Sequence, residues 1–234
     1  MDIYAICPTS ENGTIVCLSI ECKKIGEKKL WAIIPRRKYP TIKEYYPFLT
    51  WSKEAGIEYF TRLILPDLNY KRSDDFECGI AHKAFIEKND VDDDNNNKSF
   101  DQHSIYKALR QANEPINALI SDPHYYIFNK IHSDPRKVLF LPIVVTTARL
   151  ALYKFNTEDV DIKTGEVDIT KAQMEDKKWI HYEFPLPTTY RVGTKATPRS
   201  EKRPTFIVKA EHFSEFLDNF IKNTSDYLTI DTEY

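Results

Sequence analysis

The sequence predicts an α/β fold: a mixed central sheet that begins as an antiparallel meander and is flanked by helices. Three stretches carry this expectation. Residues 1–25 (MDIYAICPTSENGTIVCLSIECKKI) read as two strands around Asn12-Gly13, the dipeptide that best tolerates the two positive φ angles of a type I′ hairpin turn. A helix over about 100–121 opens with the capping box Ser99-Phe-Asp-Gln102. Lys137 to Phe155 (KVLFLPIVVTTARLALYKF) is the most apolar segment and rich in β-branched residues, as buried central strands are. The 234 residues, 41% of them hydrophobic and including 14 Tyr, 13 Phe and 3 Trp, supply a sizeable core and are read as one domain over 1–234.

In chain order, a two-residue turn at Asn12-Gly13 would pair position i with 25 − i, so that Glu11 faces Thr14 and Asp2 faces Lys23. Side chains alternate faces with period two, which puts Glu21 on the face of Lys23 and diagonal to Asp2. Val16, Leu18, Ile20 and Cys22 form the opposite, core face. Pro8 lacks a ladder donor and is where a bulge would shift the register. Gly26–Lys29 is a turn, and Leu30-Trp-Ala-Ile-Ile34 is a third strand that completes the meander before Pro35. Glu27-Lys28-Lys29 repeats an E-x-K pattern, but in a turn with no acid at hairpin distance.

Thr41 to Leu65 reads as helical, with Thr50 or Ser52 capping a helix over 53–65 and the aromatics falling at core spacing. Phe76 to Glu87 is ambiguous and would suit a short helix. Residues 87–99 (EKNDVDDDNNNKS) form a mobile acidic/Asn loop that lacks the glycine and terminal glutamate of a calcium site. The helix near 100–121 carries the stripe Ile105, Leu109, Ala112, Ile116 and Leu119, with a kink expected at Pro115. A second helical piece is expected near His132. The segment 137–155 forms one or two strands, split near Thr146-Thr147. Lys163–Glu166 is a turn, Trp179–Leu186 a strand, and Thr205–Ala210 another. Between these two strands, Thr188–Arg203 is a basic loop. Glu211–Asn223 closes the chain as an amphipathic helix with Phe213, Phe216, Leu217, Phe220 and Ile221 inward.

Composition narrows the function. A net charge of −2 gives no global basic field, so a nucleic-acid partner needs a local patch. Three patches offer themselves: Lys24 at the hairpin end, Arg36-Arg37-Lys38 after the third strand, and Arg191, Lys195 and Arg199 in the basic loop. Each reads equally as solvated surface. The four cysteines have no metal-ligand spacing and read as reduced core residues of a cytoplasmic protein. There is no leader pattern and no apolar run that would make a membrane a partner. Six glycines leave little room for phosphate-binding loops, and none of the usual motifs is present.

The chemistry-bearing constellation is Asp2, Glu21 and Lys23. Two acids a few ångströms apart raise each other's pKa unless a cation sits between them. Mg²⁺ (or Mn²⁺) binds through one or two carboxylates plus water and phosphate oxygens. A neighbouring lysine can orient water or stabilise transition-state charge. Asp2, an 18-residue gap, then Glu21-Cys22-Lys23 at the end of an apolar strand resembles the PD-(D/E)XK nuclease superfamily, the restriction-endonuclease-like fold. The resemblance implies catalytic Asp2, Glu21 and Lys23, with metal held by Asp2, Glu21 and the backbone carbonyl of Cys22. It also implies a helix after the E-x-K strand that presents a glutamine. Gln111 resembles that residue, and a solvent-facing glutamine is the plainer expectation.

The family places a helix, and usually a strand, before its aspartate, whereas only Met1 precedes Asp2. The expectation is therefore a fragment, an upstream domain or second copy that supplies the missing layer, or a degenerate site. Two functions follow. One is a Mg²⁺-dependent endonuclease acting on DNA, less often RNA, similar in outline to restriction or genome-defence enzymes. The other is an inactive nuclease-like module for nucleic-acid or protein binding and assembly.

Overall fold

The structure is a computed structural model that describes residues 2–8, 14–25, 29–35, 49–52, 79–89, 104–121, 137–159, 163, 172–192 and 195–220. Its strands are β1 (Asp2–Pro8), β2 (Thr14–Lys23), β3 (Lys29–Pro35), β4 (Leu49–Ser52), β5 (Gly79–Asn89), β6 (Lys137–Thr146), β7 (Arg149–Lys154), β8 (Gln173–Asp176), β9 (Trp179–Val192) and β10 (Lys195–Lys209). Helix α1 spans Ser104–Ser121. A 3-10 turn over Ala210–His212 leads into helix α2, residues 213–220.

One mixed sheet runs in the order β1-β2-β6-β10-β9-β5-β3-β7-β8, with β4 also on β6. β2, β6 and β10 are neighbouring parallel strands, with Glu21 level with Val144 and Phe206 level with Ile143. One edge of β6 is shared: β4 pairs with Lys137–Phe140, and β10 with Ile143–Thr146. Pro142, which has no N–H to donate, falls between the two partners. The unbroken apolar run of β6 suits a strand buried on both faces.

Each face of this sheet is covered by a helix. On one face the α1 stripe Ile105, Leu109 and Ala112 packs with Val144, Ile207, Ile180 and Tyr182. On the other, Phe216 and Phe220 of α2 pack with Val16, Ile20, Leu141, Ile143, Phe206 and Val208. The expected core face of β2 is thus the face under α2. Asn113 fastens α1 to the sheet, its Nδ2 donating to Thr205 Oγ1 (2.9 Å) and to the Leu109 carbonyl (2.8 Å).

The predicted split of 137–155 falls between Thr146 and Arg149. Only two residues join β6 to β7, although four other strands separate them along the sheet. The sheet must therefore curl, and α1 fills its concave side: Trp31 and Ile33 of β3 and Leu150 and Leu152 of β7 share a cluster with the α1 stripe.

Several expectations are corrected. The third strand does not extend the meander: β3 lies between β5, antiparallel, and β7, parallel. Its contiguous apolar run demands neighbours on both edges and cover on both faces, which a place beside β2 would not give. The hairpin register is i with 23 − i, from Asp2↔Glu21 to Pro8↔Ile15, so Asp2 faces Glu21 and not Lys23. The slip of two residues leaves every position on its expected face.

Phe76–Glu87 is not helical where described, since Gly79–Asn89 is β5, which also takes Glu87–Asn89 out of the expected loop. Leu49–Ser52 is a strand inside the stretch read as helical. The basic loop is a ribbon, because β9 and β10 stay paired out to Val192 and Lys195. The capping box at Ser99, the helix over 53–65, residues 90–99, the piece near His132, the turn at Asn12-Gly13 and Arg36-Arg37-Lys38 lie outside the described residues.

Surface ion pairs contribute to the pH dependence of stability. Hydrogen bonds from Lys154 and Lys177 hold the Glu175 carboxyl below the ordinary range. Lys209 does the same for Glu211, and Lys178, with a smaller part from His212, for Glu215. Because these folded-state values are depressed, the pairs stabilise the fold above the ordinary value of 4.5 and lose that contribution as pH falls through the folded values. Exposed pairs are individually weak. Melting temperature is expected to drop below about pH 4.5, and Lys178→Met to shallow that drop by removing the Glu215 pair. Melts followed from about pH 6 to about pH 3 check this.

Candidate active site

The carboxyl ends of parallel strands are where open α/β sheets place ligands, because the chain leaves the sheet there and frees polar groups. Lys23, Thr146 and Lys209 sit side by side at the ends of β2, β6 and β10. Here the inner face of β2, otherwise Ile15, Cys17 and Ser19, switches to Glu21 and Lys23. Glu21 is 2% exposed, and its Oε1 is ion-paired with Lys23 Nζ, whose side chain is 22% exposed. Residues i and i+2 of a strand share a face, so this pair is built by the strand itself.

Helix α1 completes the cluster. Gln111 is half-buried, and its Oε1 accepts a 2.8 Å hydrogen bond from Lys23 Nζ. The stripe that seats α1 on the sheet fixes where Gln111 falls, one residue before the buried Ala112. The plainer expectation of a solvent-facing glutamine is therefore replaced by a tie to the E-x-K lysine. The turn after β2 is also pinned. Thr147 Oγ1 accepts from the Ile25 N–H (2.8 Å) and donates to its carbonyl (2.6 Å), while the Thr147 N–H donates to the Lys23 carbonyl (3.2 Å). Nothing in the sequence pattern singles out Thr147; its role comes from the bend between β6 and β7.

Of the expected site residues, Asp2 stands directly opposite Glu21 in the β1–β2 ladder, which brings the two acid-bearing positions within about 4.5–5.5 Å at Cα. The Cys22 side chain packs with the apolar cluster under α2, so its backbone carbonyl is the group it could offer to a metal. Lys24 follows the strand end and is exposed. Arg191 pairs with Ala196, Lys195 with Val192 and Arg199 with Thr188, all on the far part of the β9–β10 ribbon. Measured along β10 from Ile207, which is level with Glu21, Arg199 is about 27 Å away and Lys195 about 40 Å. These cations do not join the acid cluster. Lys209, level with Thr146 and salt-bridged to Glu211 at 2.6 Å, is a nearer cation that the sequence reading did not select.

As a metal site, the donor set is two carboxylates and a backbone carbonyl. These are hard oxygen donors, in the number that Mg²⁺ takes from proteins while keeping several waters. Among the described residues no group of three or more His, Cys, Asp or Glu gathers to form an all-protein cage. Of the donor set, the Glu21 carboxylate and the Cys22 carbonyl are oxygen donors of the kind that Mg²⁺ or Mn²⁺ takes. No helix among the described residues is long and apolar enough to cross a membrane. No family model matches the chain, and neither a curated protein nor a solved structure matches it.

Proposed function

We propose that the protein is a Mg²⁺-dependent nuclease of the PD-(D/E)XK type that hydrolyses phosphodiester bonds, in DNA before RNA. The observation that carries this reading is the convergence of Glu21, Lys23 and Gln111 at the carboxyl end of β2, with Asp2 directly across the ladder. Structural charge at a strand end is normally solvated. A carboxylate buried to 2% exposure and paired with an ammonium that a helix glutamine also grips is costly to build and suits a site.

The roles follow from the geometry. Asp2, Glu21 and the Cys22 carbonyl would hold the metal, which supplies polarisation of the phosphoryl group and acidification of water. Lys23 has three N–H donors. Glu21 and Gln111 take two of them, leaving the third for the attacking water or a phosphate oxygen. Gln111 thereby fixes the direction of the ammonium. Water adds to phosphorus, one bridging P–O bond breaks, and the departing oxygen leaves protonated.

Supercoiled plasmid should be nicked or linearised with Mg²⁺ or Mn²⁺ and left intact with chelator. No metal-stimulated cleavage of plasmid, linear duplex or single strands would overturn the reading.

A further inference from the structure

The β9–β10 pair is longer than the sheet requires. β9 meets β5 only at Ile180–Tyr182, and β10 meets β6 only from Phe206 onward. Beyond those levels, among the described residues, the two strands have only each other as ladder partners, from Arg203↔Phe184 out to Lys195↔Val192. This is a two-stranded arm about 27 Å long.

Its charge is unlike that of the rest of the chain. Residues 184–203 hold five cations (Arg191, Lys195, Arg199, Lys202, Arg203) against one acid, Glu201. The arm is therefore +4, and the remainder of a chain of net −2 is −6. Along β10, Lys195, Arg199 and Arg203 recur at every fourth position, about 13 Å apart, with Arg191 level with Ala196 and Lys202 level with Pro185 in the same ladder.

A ribbon edge with no ladder partner among the described residues invites another β-strand, but this one is guarded against it. Pro185, Pro187 and Pro198 remove ladder donors along both edges, and the edges carry Lys and Arg. A partner strand is thus disfavoured, while a polyanion is favoured. The major groove of B-form DNA is about 12 Å wide and admits a two-stranded ribbon, whereas that of A-form RNA is too narrow.

We propose that the arm is a docking element for double-stranded DNA, holding the phosphate backbone through Lys195, Arg199 and Arg203 of β10 together with Arg191 and Lys202. This deepens the nuclease reading by locating where its substrate is held, and its test uses binding without cleavage, so either can fail alone.

The test is fluorescence anisotropy of the full chain with a labelled duplex of about 25 base pairs, in chelator, across a salt series. Wild type is expected to bind with a negative log–log salt slope. The K195Q/R199Q/R203Q triple variant is expected to lose at least about ten-fold in affinity and about 2–3 units of that slope, and Lys107→Gln, on the exposed side of α1, to bind as wild type. Acetylation mapping of the unaltered chain guards against a misfolded variant: DNA should protect Lys195 and leave Lys107, exposed on α1, reactive. An unchanged slope in the triple variant, no protection of Lys195, or preferential binding of duplex RNA or anionic phosphatidylserine vesicles would each overturn the proposal.

Discussion

Lys23→Ala is expected to reduce Mg²⁺-dependent cleavage by about 10²–10³-fold or more, the usual loss when a positioned donor to transition-state charge is removed. The same change also acts on the fold. It strands Glu21, 2% exposed, without the ammonium that neutralises it. Breaking a buried ion pair costs about 3–5 kcal/mol, and the 22% exposure of Lys23 places this case toward or below the lower end. Loss of activity alone would therefore be ambiguous. Three further variants separate the effects. Glu21→Gln removes the buried charge and the proposed metal ligand together, so it should be inactive yet close to wild type in melting temperature. The double change Glu21→Gln, Lys23→Met removes both charges, and replacing a buried pair in this way is often neutral for stability. Gln111→Leu leaves Glu21–Lys23 intact and frees only the direction of the ammonium. It should lower kcat with little change in KM. Full cleavage by both Lys23→Ala and Glu21→Gln would remove the site from the mechanism, whatever their melting temperatures.

Why some of this architecture was readable and some was not follows from what a sequence encodes locally. The α1 stripe is written in one helix, and Ile105, Leu109, Ala112 and Ile116 are all buried as the spacing requires. The sharing of a face by Glu21 and Lys23 is written in one strand. Strand partners are not local. The run Leu30–Ile34 looks like the next strand of a meander, yet its burial on both faces was the clue that it sits between two others. The arm hid for another reason. Thr188–Arg203 is rich in Thr, Lys, Arg and Pro, which read as loop, although β9 and β10 pair throughout. The register, i with 23 − i, is two residues from the one an Asn12-Gly13 turn implies. It also sharpened the site, since the acid positions now oppose each other directly and Lys23 lies one step beyond.

The largest effect on stability is expected at the opposite face, from Phe216→Ala. Phe216 is fully buried, and its ring centroid lies 5.1 Å from that of Phe206, 5.8 Å from Trp179 and 6.1 Å from Phe220. Truncating a buried phenylalanine costs about 3–5 kcal/mol through lost transfer energy and the cavity left behind. Each aromatic pair adds about 0.5–1.5 kcal/mol beyond area burial, though neighbouring pairs do not sum fully. Relaxation cannot recover much here, because the sheet side of the cavity is β6 and β10, parallel strands fixed by their ladder and by α1 behind them. Total stability of a domain is about 5–15 kcal/mol, so the variant should sit near the edge of folding at 37 °C. Phe216→Leu keeps most of the volume and should cost much less. Urea unfolding of the two variants measures the difference. It also tests the layered arrangement itself: if α2 did not cover the sheet at Phe216, alanine and leucine would be equally mild. Since α2 and the Glu21 cluster lie on opposite faces of β2, Phe216→Leu should leave cleavage per folded molecule unchanged, whereas Glu21→Gln should lose cleavage at a near wild-type melting temperature and Lys23→Ala should lose both.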